Sequence, residues 1–597
     1  MNEIHRRVMH TADFCVVGGG LSGVCAALAA ARHGAETILI HDRPVPGGNC
    51  SSEIRMWVRG AGGEYRESGI VSELDLENIY RNPHRNAHLW DAVLYGKLRA
   101  EPNLKVLYNC SVYDAETENG RIVSVSGWQL TTYTVHTVKA ALFADCSGDS
   151  ILAPLTGDTC RIGREGRGFG EKIADGSADT LHMGMSCLIQ ARETDHPVEF
   201  IPPDWAERFT EEELEGKAHD CVNRRDNMWW IEVGGNTADG ISDTEECRDR
   251  LLAIAFGVWD HIKNGGDHGA ENFELEWIGF LPGKRESRRY IGYYILTADD
   301  LTAGTPFEDI VAYGGWTMDD HDPRGIDAPG YSSKHYPVKK GYPIPYRCLF
   351  SKNIDNLFFA GRNISATHLA MSSTRVMATC SLMGQAVGTA AALAAAEGLT
   401  PREVYESGRY REVQRRLMND GCWLPTMRRE TEIPVSYNLT EAETAVLMNG
   451  IERPFEGKGN YIVPGGSIVL TPSAPVSGAA LRVMLDPDYT RVTINTTDMT
   501  NPYSQKSHRR LDFIPLKMPA DLPKCYTVEA VTADGERRVV ADVPDNRSHV
   551  LTIPLPDNTL SVIFTPGEVW GGSGGEPRVF ACDLVRMPQY FTPSVSS

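Results

Sequence analysis

The chain has 597 residues, 42% of them hydrophobic and 23% charged, with a formal net charge of −20. At roughly 150 residues per domain this allows three or four domains, and the composition, ordinary for a globular protein, speaks against the disordered and membrane classes. The acidic balance opposes nucleic-acid phosphates, so a small molecule is the expected partner and nucleic acid is not.

Residues 1–7 are partly basic but lack the apolar run of a secretory signal. Residues 13–17 read as a short buried strand, and 21–33 as an Ala-rich helix with Gly34 as its left-handed stop. Residues 37–40 form the next strand. This βαβ unit predicts a parallel sheet. Residues 43–63 are rich in Gly and Pro without periodicity. A polar helical stretch follows at 73–100, then strands near 105–108, 122–125 and 135–145.

From 176 to 348, charged and Trp-containing stretches such as 223–230 and 319–345 alternate with loops. A buried strand at 356–360 then leads into a long helix ending near Glu397. Its most apolar part, 386–396, is too short to span a bilayer. After about residue 430, short alternating runs are divided by Pro, Gly, Asp and Asn, the pattern of a β-sandwich.

The expected class is α/β. A Rossmann-like nucleotide domain comes in two parts, 1–175 and 350–428, around an inserted substrate or cap domain, 176–349, with a C-terminal all-β sandwich, 429–597. The fourteen cysteines are scattered, with no CxxC pair, so neither a disulfide framework nor a metal site is expected. A cytoplasmic chain without a membrane partner is expected, and a homo-oligomer is left open.

Between the first strand and helix lies Gly18-x-Gly20-Leu21-Ser22-Gly23. Gly18 permits the tight turn, Gly20 lets the backbone approach a pyrophosphate, and Gly23 lets the helix pack on the sheet. Amides at the helix start offer donors to the diphosphate. The acidic residue that usually binds the ribose falls near His41. Either Asp42 reaches the ribose or His41 accepts its hydroxyl proton.

Residues 41–55, including Arg43, Gly48, Asn49, Ser51 and Ser52, resemble the segment after the second strand of bacterial FAD-dependent oxidoreductases. These are glutathione reductase-like flavoproteins, on the branch that includes fumarate reductase. Residues 145–149, 281–289 and 358–388 resemble the same family, and the likeness ends before residue 430. The resemblance implies FAD as cofactor. It implies a second cofactor loop at Gly361 and Arg362, contacts from Ser147, Gly148 and Asp149, and a close-packed helix at Gly384. Asn49, Ser51 and Ser52 would donate to the flavin ring or ribityl chain.

A flavin carries hydride chemistry at N5, and the protein orients substrate and manages a proton. His368 reads as an acid–base group or as a packing histidine, and Arg375 as a carboxylate clamp or as half of an internal salt bridge. Arg285 and Arg288 suit an anionic or polyhydroxylated substrate, or a solvated edge. Trp229, Trp230, Tyr293 and Tyr294 line a sugar pocket or pack a core.

The expected function is an FAD-dependent oxidoreductase acting on a small polar metabolite, such as a sugar or hydroxy acid, with an unidentified electron acceptor. A fumarate-type enoate reductase, or a carbohydrate-binding module with a structural flavin, are the competing readings.

Overall fold

The structure is a computed structural model, and it describes residues 6–174, 176–221, 228–236, 239–491 and 508–587. Its central sheet has β1 (Arg6–Val17), β2 (Thr37–Ile40), β3 (Leu104–Leu107), β4 (Cys110–Glu118), β5 (Arg121–Gln129) and β6 (Thr134–Asp145) in the order β3-β2-β1-β6-β5-β4. A late strand, β7 (Leu357–Phe359), adds to β6 in parallel. β1 pairs in parallel with both β2 and β6, setting Val17 opposite Ile40 and Asp145. Three strand ends therefore open onto one crevice, the usual ligand place in a doubly wound sheet.

Helix α1 (Leu21–Arg32) follows β1, with Gly34 at φ +91° beyond its end. Every residue from Leu21 to Ala31 is buried, because the long helix at Met377–Glu397 lies across its other side. β1 is longer than the expected 13–17. Its first half alternates exposed and half-buried residues, paired along β6 from Arg6–Thr134 onward. That polar alternation hides the strand from a search for apolar runs.

The expected helix at 73–100 is two helices, Ile70–Arg81 and Ala87–Ala100. The break falls at Asn82-Pro83, since proline disfavours helix in the residue before it, and the Asn86 side chain caps the second helix. Between the two parts of the sheet region, α2 (Thr244–Asn264) packs Leu251, Ile254, Val258 and Trp259 into a separate core with Ile189, Ala191 and Phe273.

The late helical block is also divided. α3 (His368–Thr374) ends at Arg375, Val376 is extended at ψ 139°, and α4 (Met377–Glu397) follows. The apolar stretch expected at 386–396 extends over the whole of α4, and by length and apolarity this helix would reach across a membrane. However, 94% of its apolar window is buried inside the protein. The reason lies in two glycines. A Cβ on Gly384 would stand 2.0 Å from Ser22 O, and one on Gly388 2.1 Å from Ala26 O. The two helices thus touch backbone to backbone.

The last part of the chain forms a five-stranded antiparallel sheet from Val435–Tyr437, Ile468–Pro472, Thr559–Pro566, Tyr526–Thr532 and Arg537–Val543, in that order. A three-stranded sheet sets Ala479–Leu485 between Val550–Pro554 and Val579–Arg586. Ile468, Leu470, Leu481, Val483, Val528, Phe564 and Leu584 from both sheets share one buried cluster.

Candidate active site

The three glycines of the first loop have separate duties. Gly18 takes φ +103°, and a Cβ there would lie 2.5 Å from the Cys146 backbone, so β1 and β6 deliver their ends side by side. A Cβ on Gly23 would lie 1.8 Å from Gly18 O, which locks the helix start onto the turn. A Cβ on Gly20 would meet no described atom within 4 Å. Gly20 is also the N-cap of α1 and has no side-chain cap, so the loop crown faces open space with donor amides.

His41 is turned into this loop. Its Nδ1 accepts from the Gly19 N–H at 3.0 Å, which leaves Nε2 to donate to Val45 O at 3.0 Å. Both ring nitrogens are spent on backbone. Asp42 keeps a side chain 56% exposed beside it.

The second loop is organised by Asp145 at the end of β6. Its Oδ1 accepts from Ser147 N, Ser147 Oγ and Asn363 Nδ2, while Oδ2 accepts from Leu152 N and Tyr290 OH. Burial pushes this carboxyl up, and the hydrogen bonds oppose it. Ser147 is thereby committed to the loop. Asp149 accepts from Arg362 Nη2 at 2.8 Å, Ser287 Oγ at 2.7 Å and Lys284 Nζ at 3.1 Å. Burial alone would raise its carboxyl, but Arg362 and Lys284 pull it down to about 2. Gly148 at φ +78° leaves room for the Arg362 guanidinium, 2.7 Å from where a Cβ would stand. Ser22 Oγ donates to Ala360 O at 3.2 Å, tying the early loop to the late one.

One cavity of about 1080 Å³ runs along these loops. Gly18, Gly20, Leu21, Ser22, His41, Asp42, Arg43, Gly48, Asn49, Ser147, Gly148, Asp149, Gly361 and Arg362 all line it. Gly23, Ser51, Ser52 and Gly384 do not. Ser51 Oγ accepts from Glu53 N, Ser52 N donates to Asp91, and Gly384 serves the crossing of α1 and α4. Asn49 lines the cavity while its Nδ2 donates to Lys284 O at 3.0 Å.

Farther along, the same cavity is walled by Trp57, Arg59, Trp229, Trp230, Arg285, Trp316, Asp319, His321, Tyr331, His335 and Arg375. Arg285 donates to Ser186 Oγ and Trp229 O and lies 3.3 Å from Glu232. Arg375 donates to Asp319 O at 3.0 Å, and its buried Nε has no hydrogen-bond partner among the described residues. His321 bridges Glu232 at 2.8 Å and Asp319 at 3.5 Å, with its ring edge-on to Trp229. Asp319 is held well below the usual carboxylate range. Burial would raise it, but His321, Arg375 and His335 outweigh that. His335 is 41% exposed, hydrogen-bonded by Nδ1 to Thr317 Oγ1, with Nε2 3.7 Å from Asp319.

His368 departs from expectation. It is buried away from the cavity, with Nδ1 2.9 Å from Glu286 and Nε2 2.9 Å from Asp320. Burial would lower its pKa, but the two carboxylates raise it to about 10. It is a standing cation at neutral pH and not a proton shuttle. Arg288 does not line the cavity either. Arg289 is spent on Ala366 O, Gly163 O, Glu165 and Glu286. Tyr293 is exposed and donates to Glu406, and Tyr294 packs against the core and donates to Asp300, so neither lines the cavity.

Sequence reading passed over His321, His335, Asp319, Glu232 and Arg59. The only signal was the density of Asp, His and Trp across 316–335. The charged run before Trp229 falls on residues 222–227, outside the described residues.

These residues fit FAD. The open crown at Gly20 suits a pyrophosphate. Arg362 lines the same cavity, and its buried Nε has no hydrogen-bond partner among the described residues.

Comparison with known proteins agrees. Residues 13–417 match the family model described as FAD dependent oxidoreductase. No curated protein matches the chain. Among solved structures, the chain is similar to the myxobacterial chondrochloren halogenase CndH, a variant FAD-dependent halogenase, at 19% identity and TM-score 0.19. That match covers 24% of this chain and only 38% of the halogenase. A geranylgeranyl bacteriochlorophyll reductase-like protein from Thermoplasma acidophilum gives 12% identity and TM-score 0.29, over 69% of this chain and 86% of that one. A family 32 carbohydrate-binding module from Streptococcus pneumoniae EndoD gives 12% identity and TM-score 0.18, over 27% of this chain and 99% of the module. Likenesses this partial add nothing to the family match, which spans most of the chain. The chain belongs to the FAD-dependent oxidoreductase family and is an enzyme with FAD as its cofactor.

Proposed function

We propose that the enzyme oxidises the alcohol carbon of a small hydroxy acid, sugar acids included. Bound FAD supplies a two-electron acceptor. The reading rests on one feature of the cavity beyond the nucleotide loops. Arg59, Arg285 and Arg375 line it together with Asp319, inside a chamber of Trp57, Trp229, Trp316 and Tyr331 rings, and Arg285 is paired with Glu232. A cluster of guanidinium groups suits a carboxylate, and flat rings suit the apolar face of a hydroxylated chain. Burial lowers Arg59 to about 10, with Asp319 opposing, so it stays charged at neutral pH.

In this reading Arg375 and Arg59 hold the carboxylate. His335 takes the hydroxyl proton at Nε2, because its Nδ1 is bound to Thr317. His321, fixed between Glu232 and Asp319, keeps the chamber wall in place. At the nucleotide end, Gly20 and the start of α1 hold the diphosphate. Asp42 binds the ribose, since His41 has no ring nitrogen left for it.

Anaerobic flavin reduction across hydroxy acids, neutral sugars and polyols tests the assignment. Bleaching by a hydroxy acid, with KM raised in Arg375→Met, is expected. Reduction by neutral polyols alone, or reoxidation of reduced flavin by an enoate with no response to any hydroxy acid, would overturn it.

The same reading divides the chain into a cofactor domain of 1–175 and 350–428, a cap of 176–349 and a β-sandwich of 429–597. The addition of β7 to β6 supports the first, the separate core around α2 the second, and the cluster shared by the two late sheets the third. A reducing, cytoplasmic setting is supported by fourteen free cysteines.

A further inference from the structure

Away from the cavity, four side chains converge in the cap region. Glu211 and His219 come from the loop before Lys217 and just after it, His261 from the last turn of α2, and His268 from the loop beyond. Their ligating atoms all lie within 4.8 Å of one another. Glu211 Oε2 is 3.1 Å from His261 Nε2, 3.4 Å from His219 Nε2 and 3.6 Å from His268 Nε2. We propose that these four residues bind a structural zinc ion, which ties the loop at 211–219 to α2.

The protonation pattern leads there. His219 Nδ1 donates to Lys217 O at 2.5 Å and His261 Nδ1 donates to Phe209 O at 3.0 Å. With each proton held at Nδ1, both Nε2 atoms present lone pairs to the centre of the cluster. This is the outer arrangement that fixes metal-binding histidines. His268 Nε2 is buried and has no hydrogen-bond partner among the described residues. The three rings are tilted by 48° to 61° to one another, so they converge and do not stack. Three imidazole lone pairs and a carboxylate thus face each other, and a metal cation between them relieves the repulsion.

The spacing agrees with zinc. Four ligands about 2.0–2.1 Å from a tetrahedral Zn²⁺ stand about 3.3 Å from each other, close to the separations from Glu211. Three nitrogens and one oxygen are borderline-hard donors of the kind zinc prefers, and neither Ca²⁺ nor Mg²⁺ does. All four tetrahedral places are filled by protein, which marks a structural site and not a catalytic one. The site also reaches the substrate chamber, because Gly216, Lys217 and Ala218 line that cavity and Lys217 Nζ donates to Ala328 O at 2.9 Å.

The test uses full-length, FAD-loaded enzyme without a polyhistidine tag. Elemental analysis is expected to find about one zinc per chain, and X-ray absorption to find imidazole scatterers at about 2.0–2.1 Å. Removal with dipicolinate should lower the melting temperature, and Zn²⁺, but not Mg²⁺, should restore it. The double variant His219→Gln/His268→Gln should lose the zinc while the flavin absorbance remains. If that variant does not fold, removal and return of zinc in the wild type decide the matter. Wild-type enzyme that carries no zinc and shows neither a thermal shift nor histidine scattering after Zn²⁺ addition would overturn the site, and would mean that a protonated His261 holds Glu211.

Discussion

Nδ1 of His368 lies 2.9 Å from Glu286 Oε2, with both side chains fully out of solvent. The pair holds the start of α3 against the segment that carries Arg285. The folded pKa of His368 is about 10, against an ordinary 6.5. A raised histidine pKa stabilises the fold fully below 6.5, and that contribution fades as pH rises through 10. Melting temperature followed from pH 6 to 10 should therefore fall across this window.

His368→Gln should abolish that slope and cost about 3 kcal/mol at neutral pH, the low end for a broken buried ion pair, because Glu286 keeps Arg289 and Asp320 is half-buried. Chemical denaturation measures the cost. A variant as stable as wild type, with an unchanged pH profile, would refute the ion-pair role.

Gly20 and Gly23, in the same loop, should behave in opposite ways.

 Gly20→Glu fills open space at the loop crown, so the protein should fold with wild-type stability yet be purified colourless, because the carboxylate occupies the diphosphate place. Gly23→Ala places a methyl 1.8 Å from Gly18 O and should destabilise the fold by about 1–3 kcal/mol. Flavin absorbance and thermal melting, measured on both variants, separate the two duties.

Gly384→Ala puts its methyl 2.0 Å from Ser22 O, a backbone atom that cannot swing aside. The helices must part, and α1 carries the nucleotide loop. Lower stability together with faster flavin release is expected. Loss of flavin without any loss of stability would instead make Gly384 a direct cofactor contact.

Asp149→Asn removes the charge that Arg362 and Lys284 share. The second loop should loosen, weakening FAD affinity by about tenfold, at roughly 1.4 kcal/mol per decade. The depressed carboxyl pKa of about 2 stabilises the fold above its ordinary 3.8, and the contribution is lost as pH falls through 2. Flavin release on acidification should thus begin at higher pH in the variant, as followed by fluorescence of the freed cofactor.

His335→Asn should lower the rate of flavin reduction by about 10²–10⁴-fold with flavin content unchanged. Stopped-flow absorbance under anaerobic conditions reads it directly. An unaltered rate would move the proton to another group.

Local sequence was enough for the nucleotide half of the site. Gly18, Gly20 and Gly23 sit between a strand and a helix that are contiguous in the chain, so their spacing carries the geometry. The helix from Leu21 and the strand at Thr37–Ile40 fall where the apolar pattern puts them. The same logic overran at Asn82-Pro83 and at Val376, where backbone restrictions at single residues divide a continuous periodic stretch.

The far half of the cavity was not legible. His321 meets Glu232 across 89 residues, and Arg375 meets Asp319 across 56. No spacing rule joins such residues, and a histidine's partners decide whether it shuttles protons. His368 looked like the acid–base group because of its neighbours in the chain, but Glu286 and Asp320 make it a fixed cation.

What the sequence determined by itself was the βαβ turn that accepts a dinucleotide, because a turn is built from consecutive residues. Which arginines and histidines line the chamber beyond that turn was decided only by the tertiary structure, since burial and charge pairing arise between segments that the chain keeps far apart.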